Sequence, residues 1–492
     1  MLLLKAAAVL PFAGGETIRD AGIAVSNDRI VALGRFAELR DRFEGSQILD
    51  LRQAIILPGL VNAHQHGRGL SPLLLGYHDD ALEPWIAARR RHGPPDIYAV
   101  TRLAAEEMLA NGVTATLHAN YSYGSDYREE LAETARAYRD AGLRATICIG
   151  YQDRGFLTYG NETEFLSTLP VEARNALQSG GPPPYAGSVA DTLALIEEMT
   201  ARFADTPMIS FAYGPAGPQW VSDAAWTALA RDAAKRGTGL HFHLLESPAQ
   251  AAYCRSVYGS STLAHLARLG VFEAKASFAH GVYMNDEDMT VSRDAGAVAV
   301  ANPGSNLRLF NGPPPVAALH RRGCTVAVGT DNTALADDED YLGELRLYAN
   351  LARSPGIDAI GPSPDDILRT ATTNGGKAAF LPEGYGSLAP GQPADLIAID
   401  GTGFDATGRM RTEPPLPLLL ARAKGTDVVL TMTDGVVRFA RREQDAARRA
   451  HWREIAAASV VKRELRQDAT TVSAIQQALR DFAGTPDPPC ED

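Results

Sequence analysis

Through the middle of this chain, apolar positions fall into short unbroken runs, not long alternations. They read AIILPGLVNAH, GVTATLHAN, LRATICIGY, PMISFAYGP, TGLHFHLLE, KASFAHGV, GAVAVANPGSN and CTVAVGTDN. Runs of this length, rich in β-branched residues, predict strands buried on both faces, as in parallel sheets. Between most of them lie segments with helical spacing, such as DIYAVTRLAAEEMLANG and DAAWTALARDAAKRG. Eight strands alternating with helices between about residues 55 and 333 predict a (β/α)₈ TIM barrel, an α/β fold whose chemistry sits at the C-terminal strand ends. The flanks differ. Residues 1–54 and 385–440 read as short strands and turns (GIAVSNDRIVALG, DVVLTMTDGVVRFA) and are expected to pair into one β-sandwich beside a barrel spanning 55–384. Residues 441–492 are expected to form a charged helical extension ending in a frayed tail, GTPDPPCED.

The polar residues at the strand ends carry the chemistry. A period of two sets His64 and His66 on one face, and likewise His241 and His243, with Phe242 turned away. His280 closes KASFAH and Asp331 closes CTVAVGTD. Four strands thus present an imidazole or a carboxylate at the same end, and a barrel brings those ends to one mouth. A single buried histidine is ordinarily a hydrogen-bonded core residue, and an Asp after a strand is ordinarily a helix cap. Two neighbouring desolvated imidazoles, repeated on two strands, are costly unless something binds them. His241 lies one layer deeper than His243 and is expected to pack or to position a neighbour. Three neutral histidines and a carboxylate drawn from this set suit a borderline divalent ion, zinc or ferrous iron. Such an ion lowers the pKa of bound water from about 15.7 to about 7.

Composition narrows the partners. A net charge of −12 disfavours nucleic acid and anionic membranes, 45% hydrophobic content is that of a globular protein, and no apolar stretch reaches the ~18 residues of a membrane span. The four cysteines, Cys148, Cys254, Cys324 and Cys490, are widely spaced and read as reduced thiols. The opening MLLLKAAAVLPFAGG has its charge after the leucines and reads as a strand, not an export signal, so a cytoplasmic location is expected. The expected assembly is a homo-oligomer, a dimer. TNGGKAA lacks the features of a phosphate-binding loop, and no GxSxG nucleophile motif occurs.

Taken in order, DRIVALG, ILPGLVNAHQH, HFHLLE, FAHGV, NPGSN, VGTDN, ATTNGGKAA and GSLAPGQPADLIAID resemble the amidohydrolase superfamily over nearly the whole chain. The closest likeness is to its mononuclear deaminase and chlorohydrolase branch, which includes triazine hydrolases and deaminases of guanine and of adenosine derivatives. The resemblance implies one metal held by His64, His66, His243 and Asp331, with Glu246 and His280 as proton-handling groups and Ser305-Asn306 after the seventh strand. Dinuclear members bridge their metals with a lysine after the fourth strand. The only lysine between Lys5 and Lys275 here is Lys235, inside a helix, which favours one metal. Two departures concern the substrate. YGPAGPQW has Ala216 where nucleoside-type deaminases carry histidine, with Tyr213, Gln219 or Trp220 as substitutes, and Gly281 stands where many carry cysteine.

The implied reaction is hydrolytic attack on an electron-poor carbon of a nitrogen heterocycle, with Asp331 as base, Glu246 as acid to a ring nitrogen and His280 steadying the developing charge. Deamination is the primary reading. Loss of a halide or alkylamine, or opening of a cyclic amide or ureide, are alternatives on the same barrel, and a non-catalytic scaffold would be expected to have lost ligands. Candidate substrate contacts are Arg68 and Trp85 in the long loop after the first strand, then His118, Tyr121, Gln152, Arg154, Tyr213, Trp220 and Asn306. Aromatic and hydrogen-bonding groups suit a flat small-molecule heterocycle. The run Arg89-Arg90-Arg91 reads as a solvated helix face.

Overall fold

The computed structural model describes residues 1–121, 126–180, 183, 185, 187–332, 334–356 and 361–482. The expected frayed tail and Cys490 lie outside the described residues. The N-terminal flank contributes β1 (Leu2–Val9), β2 (Ile18–Ser26), β3 (Arg29–Arg35), β4 (Gln47–Asp50) and β5 (Ala54–Pro58). The barrel strands are β6 (Leu60–Gln65), β7 (Val113–Asn120), β8 (Arg144–Tyr151), β9 (Ile209–Pro215), β10 (Gly239–Leu244), β11 (Lys275–His280), β12 (Val298–Ala301) and β13 (Thr325–Val328). The C-terminal flank adds β14 (Leu396–Asp400), β15 (Val428–Thr433) and β16 (Val436–Ala440).

Each of the eight runs in the central pattern contributes one strand to a single parallel sheet, ordered β6 to β13 without a break. Every residue of β6, β7, β8 and β10 is buried, which is why these segments show no polar alternation. A parallel bridge between Gln65 and Asp331 brings the two end strands together. The fold is a distorted (β/α)₈ barrel. Beside it, the flanks share a second sheet of order β16-β15-β14-β5-β1-β2-β3, with β4 also paired to β1. Strands from both ends of the chain meet where β5 lies between β1 and β14, around an apolar cluster that includes Ile23, Ile56, Leu396 and Met432.

The apolar run Ala54–His64 is two strands, not one. Gly59 separates them, its amide donating to the Asp395 carbonyl (3.1 Å), and a Cβ there would stand 2.0 Å from Thr114 Oγ1. The chain therefore passes from the flanking sheet into the barrel at a point where only glycine fits. A buried ion pair ties the two units nearby. Arg144, at the start of β8, donates to Asp395 (3.1 Å) and to Asp434, and Asp395 also accepts from Tyr385 (2.6 Å) and the Asp434 amide (2.7 Å).

The C-terminal extension forms helices Glu443–Val461 and Ala469–Asp481. The first lies on helix Ile97–Ala110, where Arg448 reaches Glu106 (2.9 Å) and Arg449 and Arg453 reach Glu107. No helix among the described residues is long and apolar enough to cross a membrane.

A fragment spanning 55–384 would strip β5 of both its neighbours and Arg144 of both its carboxylates. It is expected not to fold, as read by circular dichroism and thermal melting; a cooperative melt would refute the dependence. In the full chain, Arg144→Met leaves Asp395 buried without its cation and is expected to cost ~3–5 kcal/mol in urea unfolding.

Candidate active site

The seam that closes the barrel is also where its reactive groups gather. Gly329 packs against His64. A Cβ there would approach the His64 carbonyl to 2.7 Å and Asn302 Oδ1 to 2.6 Å. Glycine lets the end of β13 come close enough for the amides of Thr330 and Asp331 both to donate to that carbonyl, at 3.1 and 2.9 Å. Asp331 takes φ +56°, a left-handed conformation uncommon for a non-glycine residue. His280 (φ +73°) and Leu245 (φ +46°) share it at the ends of β11 and β10. Strict alternation from His243 would aim Glu246 outward. Because β10 stops at Leu244 and Leu245 turns left-handed, the Glu246 carboxylate returns to within 3.5 Å of His280 Nε2.

Hydrogen bonding fixes which nitrogen of each imidazole is free. Ser277 donates its hydroxyl proton to the Ala378 carbonyl (2.8 Å), so it accepts from His241 Nδ1 (2.8 Å). His241 Nε2 then accepts from His64 Nδ1 (2.8 Å), which leaves His64 Nε2 with its lone pair. His66 Nδ1 donates to the Ala119 carbonyl (2.7 Å) and His243 Nδ1 to the Ala216 carbonyl (3.0 Å). All three therefore turn an Nε2 lone pair inward, and their ligand atoms cluster within 4.8 Å of one another. Asp331 Oδ1 stands 2.9 Å from His66 Nε2 and 3.5 Å from His64 Nε2. His64 Nε2 is buried with no hydrogen-bond partner. Acceptor faces acceptor throughout, an arrangement that a cation among these atoms relieves. His64, His66, His243 and Asp331 thus fit one divalent ion.

Electrostatics agree. Burial lowers the pKa of His64 to about 4 and lowers those of His66, His243 and His280, so the imidazoles are neutral at pH 7, the form that ligates. Glu246 is raised instead. Burial, then the negative Asp331 and Glu83, hold its carboxyl well above the usual range, before any ion's charge is added. Asn311 donates to its Oε1 (3.0 Å). His280 Nδ1 faces Asn306 Oδ1 (2.7 Å), which leaves Nε2 toward the mouth. Ser305 donates to Asp331 Oδ2 (2.5 Å).

A cavity of about 410 Å³ opens over His66, His243, Glu246, His280 and Asp331. Of the expected substrate contacts, Arg68, Trp85, Tyr121, Gln152 and Trp220 line it. Four others do not reach it. His118 lies on the outer face of β7, bonded to the Tyr138 hydroxyl (2.9 Å). Tyr213 likewise faces outward and donates to Asp232 on helix Asp223–Arg236. Arg154 ties loops together through the Pro218 carbonyl (2.9 Å) and the Tyr258 hydroxyl. Asn306 sits beneath His280 and positions it. Arg89 and Arg90, expected to face solvent, border the cavity. Glu83, Asn311, Arg466 and Gln467 were not foreseen. Asn311 and Glu83 act on Glu246, and the last two reach the cavity from the C-terminal extension.

The profile of the amidohydrolase family matches residues 55–438. A 5-methylthioadenosine/S-adenosylhomocysteine deaminase from Symbiobacterium thermophilum is 30% identical, with 88% of this chain and 92% of that protein covered. A 5'-deoxyadenosine deaminase from Methanosarcina mazei is 28% identical, covering 89% and 92%. Among solved structures, a zinc-bound adenosine deaminase from Xanthomonas campestris superimposes with a TM-score of 0.76 at 26% identity, covering 93% of this chain and 98% of that one. The zinc complex of an atrazine chlorohydrolase from Arthrobacter aurescens has a TM-score of 0.75 at 23% identity, covering 92% and 100%, a likeness of fold.

The two histidines of β10 separate a ligand from its support. Elemental analysis of His243→Ala is expected to show metal well below one equivalent. His241→Ala removes only the acceptor that orients His64, and is expected to bind one equivalent with affinity weakened ~10–100-fold. The opposite ranking would mean that the inward lone pairs are misassigned.

Proposed function

The chain belongs to the amidohydrolase family, and from that footing we propose that it is a zinc-dependent aminohydrolase, releasing ammonia from an exocyclic amine of a nitrogen heterocycle. The observation that carries the reading is a cavity opening on His66, His243 and Asp331, with the clustered ligand atoms of three histidines at its floor and, beside them, a Glu246 carboxyl that burial and neighbouring negative charge hold well above its usual range. Three nitrogen donors and one oxygen suit zinc, with ferrous iron the alternative for the same set. Zinc in the Xanthomonas campestris relative supports that choice. A bound divalent ion would supply acidity to water at neutral pH. The 6-amino group of adenosine derivatives is the first substrate to test, since relatives bear names of deaminases of such compounds.

The residues divide the proton work. Water adds to the amine-bearing carbon while Asp331 takes one of its protons. Glu246 gives its proton to the adjacent ring nitrogen, which makes the carbon more electrophilic. His280, held through Nδ1 by Asn306, presents Nε2 to the attacking oxygen and fixes its direction. The C–N bond then breaks, and the amine departs as ammonia with the proton Asp331 had taken. Glu246 recovers a proton from the new hydroxyl as the carbonyl forms. Each such proton transfer is worth ~10²–10⁴ in rate.

Glu246→Gln keeps size and the Asn311 contact but has no proton to give. We expect near-normal metal content and melting temperature with kcat lowered at least ~10²-fold on an ammonia-release assay. Full turnover by this variant would remove Glu246 from the acid's role and shift attention to His280.

A further inference from the structure

The turn that carries Glu246 is held by a ring of hydrogen-bonded side chains whose proton directions can be worked out in sequence. The Glu246 amide donates to Gln250 Oε1 (2.9 Å), and a backbone amide can only donate, so the Gln250 side chain has one orientation. Its Nε2 then faces the Tyr159 hydroxyl (3.3 Å), which accepts and must send its own proton elsewhere. Ser247, at the N-terminus of helix Pro248–Tyr258, is constrained in the same way. Its Oγ accepts from the Gln250 amide (3.1 Å), so its proton also needs another acceptor. Both protons converge on Glu83, which accepts from Ser247 Oγ and from the Tyr159 hydroxyl. Burial and the Glu83 charge push the Tyr159 phenol well up, so it keeps the proton it shares. Gln250, Ser247 and Tyr159 are all buried, and a bond left unmade there would strand a polar atom.

Glu83 comes to this ring from a different part of the chain. It lies on helix Leu82–Ala88, in the loop after β6, whereas Tyr159 follows β8 and Ser247 and Gln250 follow β10. The C-terminal helix Ala469–Asp481 braces that helix: Gln476 Nε2 donates to the Pro84 carbonyl (3.1 Å), and Arg480 pairs with Asp80. A second cavity, of about 610 Å³, is lined by Glu83, Tyr159 and Ser247. Among the described residues lining the substrate cavity, neither these three nor Gln250 is found, whereas Glu246 is. Whatever the ring does to a bound molecule therefore passes through Glu246. What it holds is backbone. β10 ends at Leu244, Leu245 is left-handed (φ +46°), and the next amide is the one that Gln250 accepts from. The carboxyl end of Glu246 is held separately, by Asn311 on Oε1 (3.0 Å).

We propose that Glu83 is a positioning residue for the Glu246 acid, holding the Ser247 and Tyr159 hydroxyls and, through Gln250, the backbone turn from which Glu246 projects. A helix of the loop over the mouth is then part of the acid's support, and the acid is in place only when that helix is seated. A displacement of about 1 Å at a reacting group costs ~10²-fold in rate, so the ring is felt in turnover more than in affinity. This rests on the aminohydrolase reading for the use made of Glu246, but the ring itself can be read without substrate.

Hydrogen–deuterium exchange reads the ring in the metal-loaded full chain, and ammonia release from 5'-deoxyadenosine reads its consequence. Glu83→Ala and Ser247→Ala are each expected to speed exchange of the amides of residues 246–250 at least ~10-fold. Both are expected to keep their metal while kcat falls ~10–10²-fold and KM moves less than ~3-fold. Glu83→Gln, which keeps an acceptor oxygen for one of the two hydroxyls, is expected to recover part of both losses. The double variant Glu83→Ala/Ser247→Ala is expected to lose less than the product of the single losses, because both break one contact. If Glu83→Ala fails to fold, Ser247→Ala and Glu83→Gln carry the same test. Exchange that neither residue changes, a loss confined to KM, or a loss matched by departing metal overturns the inference. If exchange responds as expected but the parent protein releases no ammonia, the ring stands and the aminohydrolase reading falls on that substrate.

Discussion

One carbonyl oxygen, that of His64, organises the working end of this molecule. It accepts from both Thr330 and Asp331, and those two bonds draw the first and last barrel strands together. The same bonds set the backbone of one prospective metal ligand directly on that of another. Closure of the barrel and assembly of the site are therefore one event. Gly329 is the permissive element, since any side chain there would hold the strands apart. Left-handed conformations at Asp331, His280 and Leu245 follow, because each chain must turn sharply at its strand end to bring a side chain over the mouth. Strain of this kind costs of order 1–3 kcal/mol per residue and persists only where surrounding packing imposes it.

Behind the ligands lies a relay that needs no ion to be set. It starts at the Ala378 carbonyl and passes through Ser277 and His241 to His64, each member leaving the next a single choice of tautomer. The outer end of the relay is a backbone group with no proton to lose, so the direction of the chain cannot reverse. His66 and His243 are fixed in the same sense by the Ala119 and Ala216 carbonyls. Ala216 takes part through its backbone carbonyl alone, so its side chain is not needed to set the His243 tautomer.

Much of this was legible in the sequence because it depends on local periodicity. Buried parallel strands lack polar positions, so the eight barrel runs stood out. A period of two sorted His64 from Gln65 and His243 from Phe242. The same period also tells against His118 and Tyr213, which lie on outward-facing positions of β7 and β9; reading them only as residues near a strand end missed their direction. The division at Gly59 was hidden because apolar character runs straight through it, and only the contact with Thr114 marks the break. Arg89, Arg90 and Arg466 were hidden for a different reason. A run of arginines looks like a solvated helix face until a strand from the far end of the chain pairs beside it, and no local pattern announces a contact between residues 91 and 466.

The separation of charge within the cavity links these two scales. The floor, built from strand ends by local periodicity, holds the carboxylates and the imidazoles. The walls, built from a long loop and a distant C-terminal segment, hold the guanidinium groups. A cavity with low-dielectric sides concentrates such fields, so a ligand with a polarisable ring would be oriented before it touches the floor. On the proposed mechanism, orientation is what the proton transfers need, since Glu246 would serve a ring nitrogen while Asp331 serves the water and the departing amine. The floor is set by barrel geometry and changes only if the barrel changes. The walls rest on loops and an appended helix pair, and these can be exchanged without disturbing closure at His64. On this division, the reaction belongs to the barrel and the choice of substrate belongs to the segments laid over it.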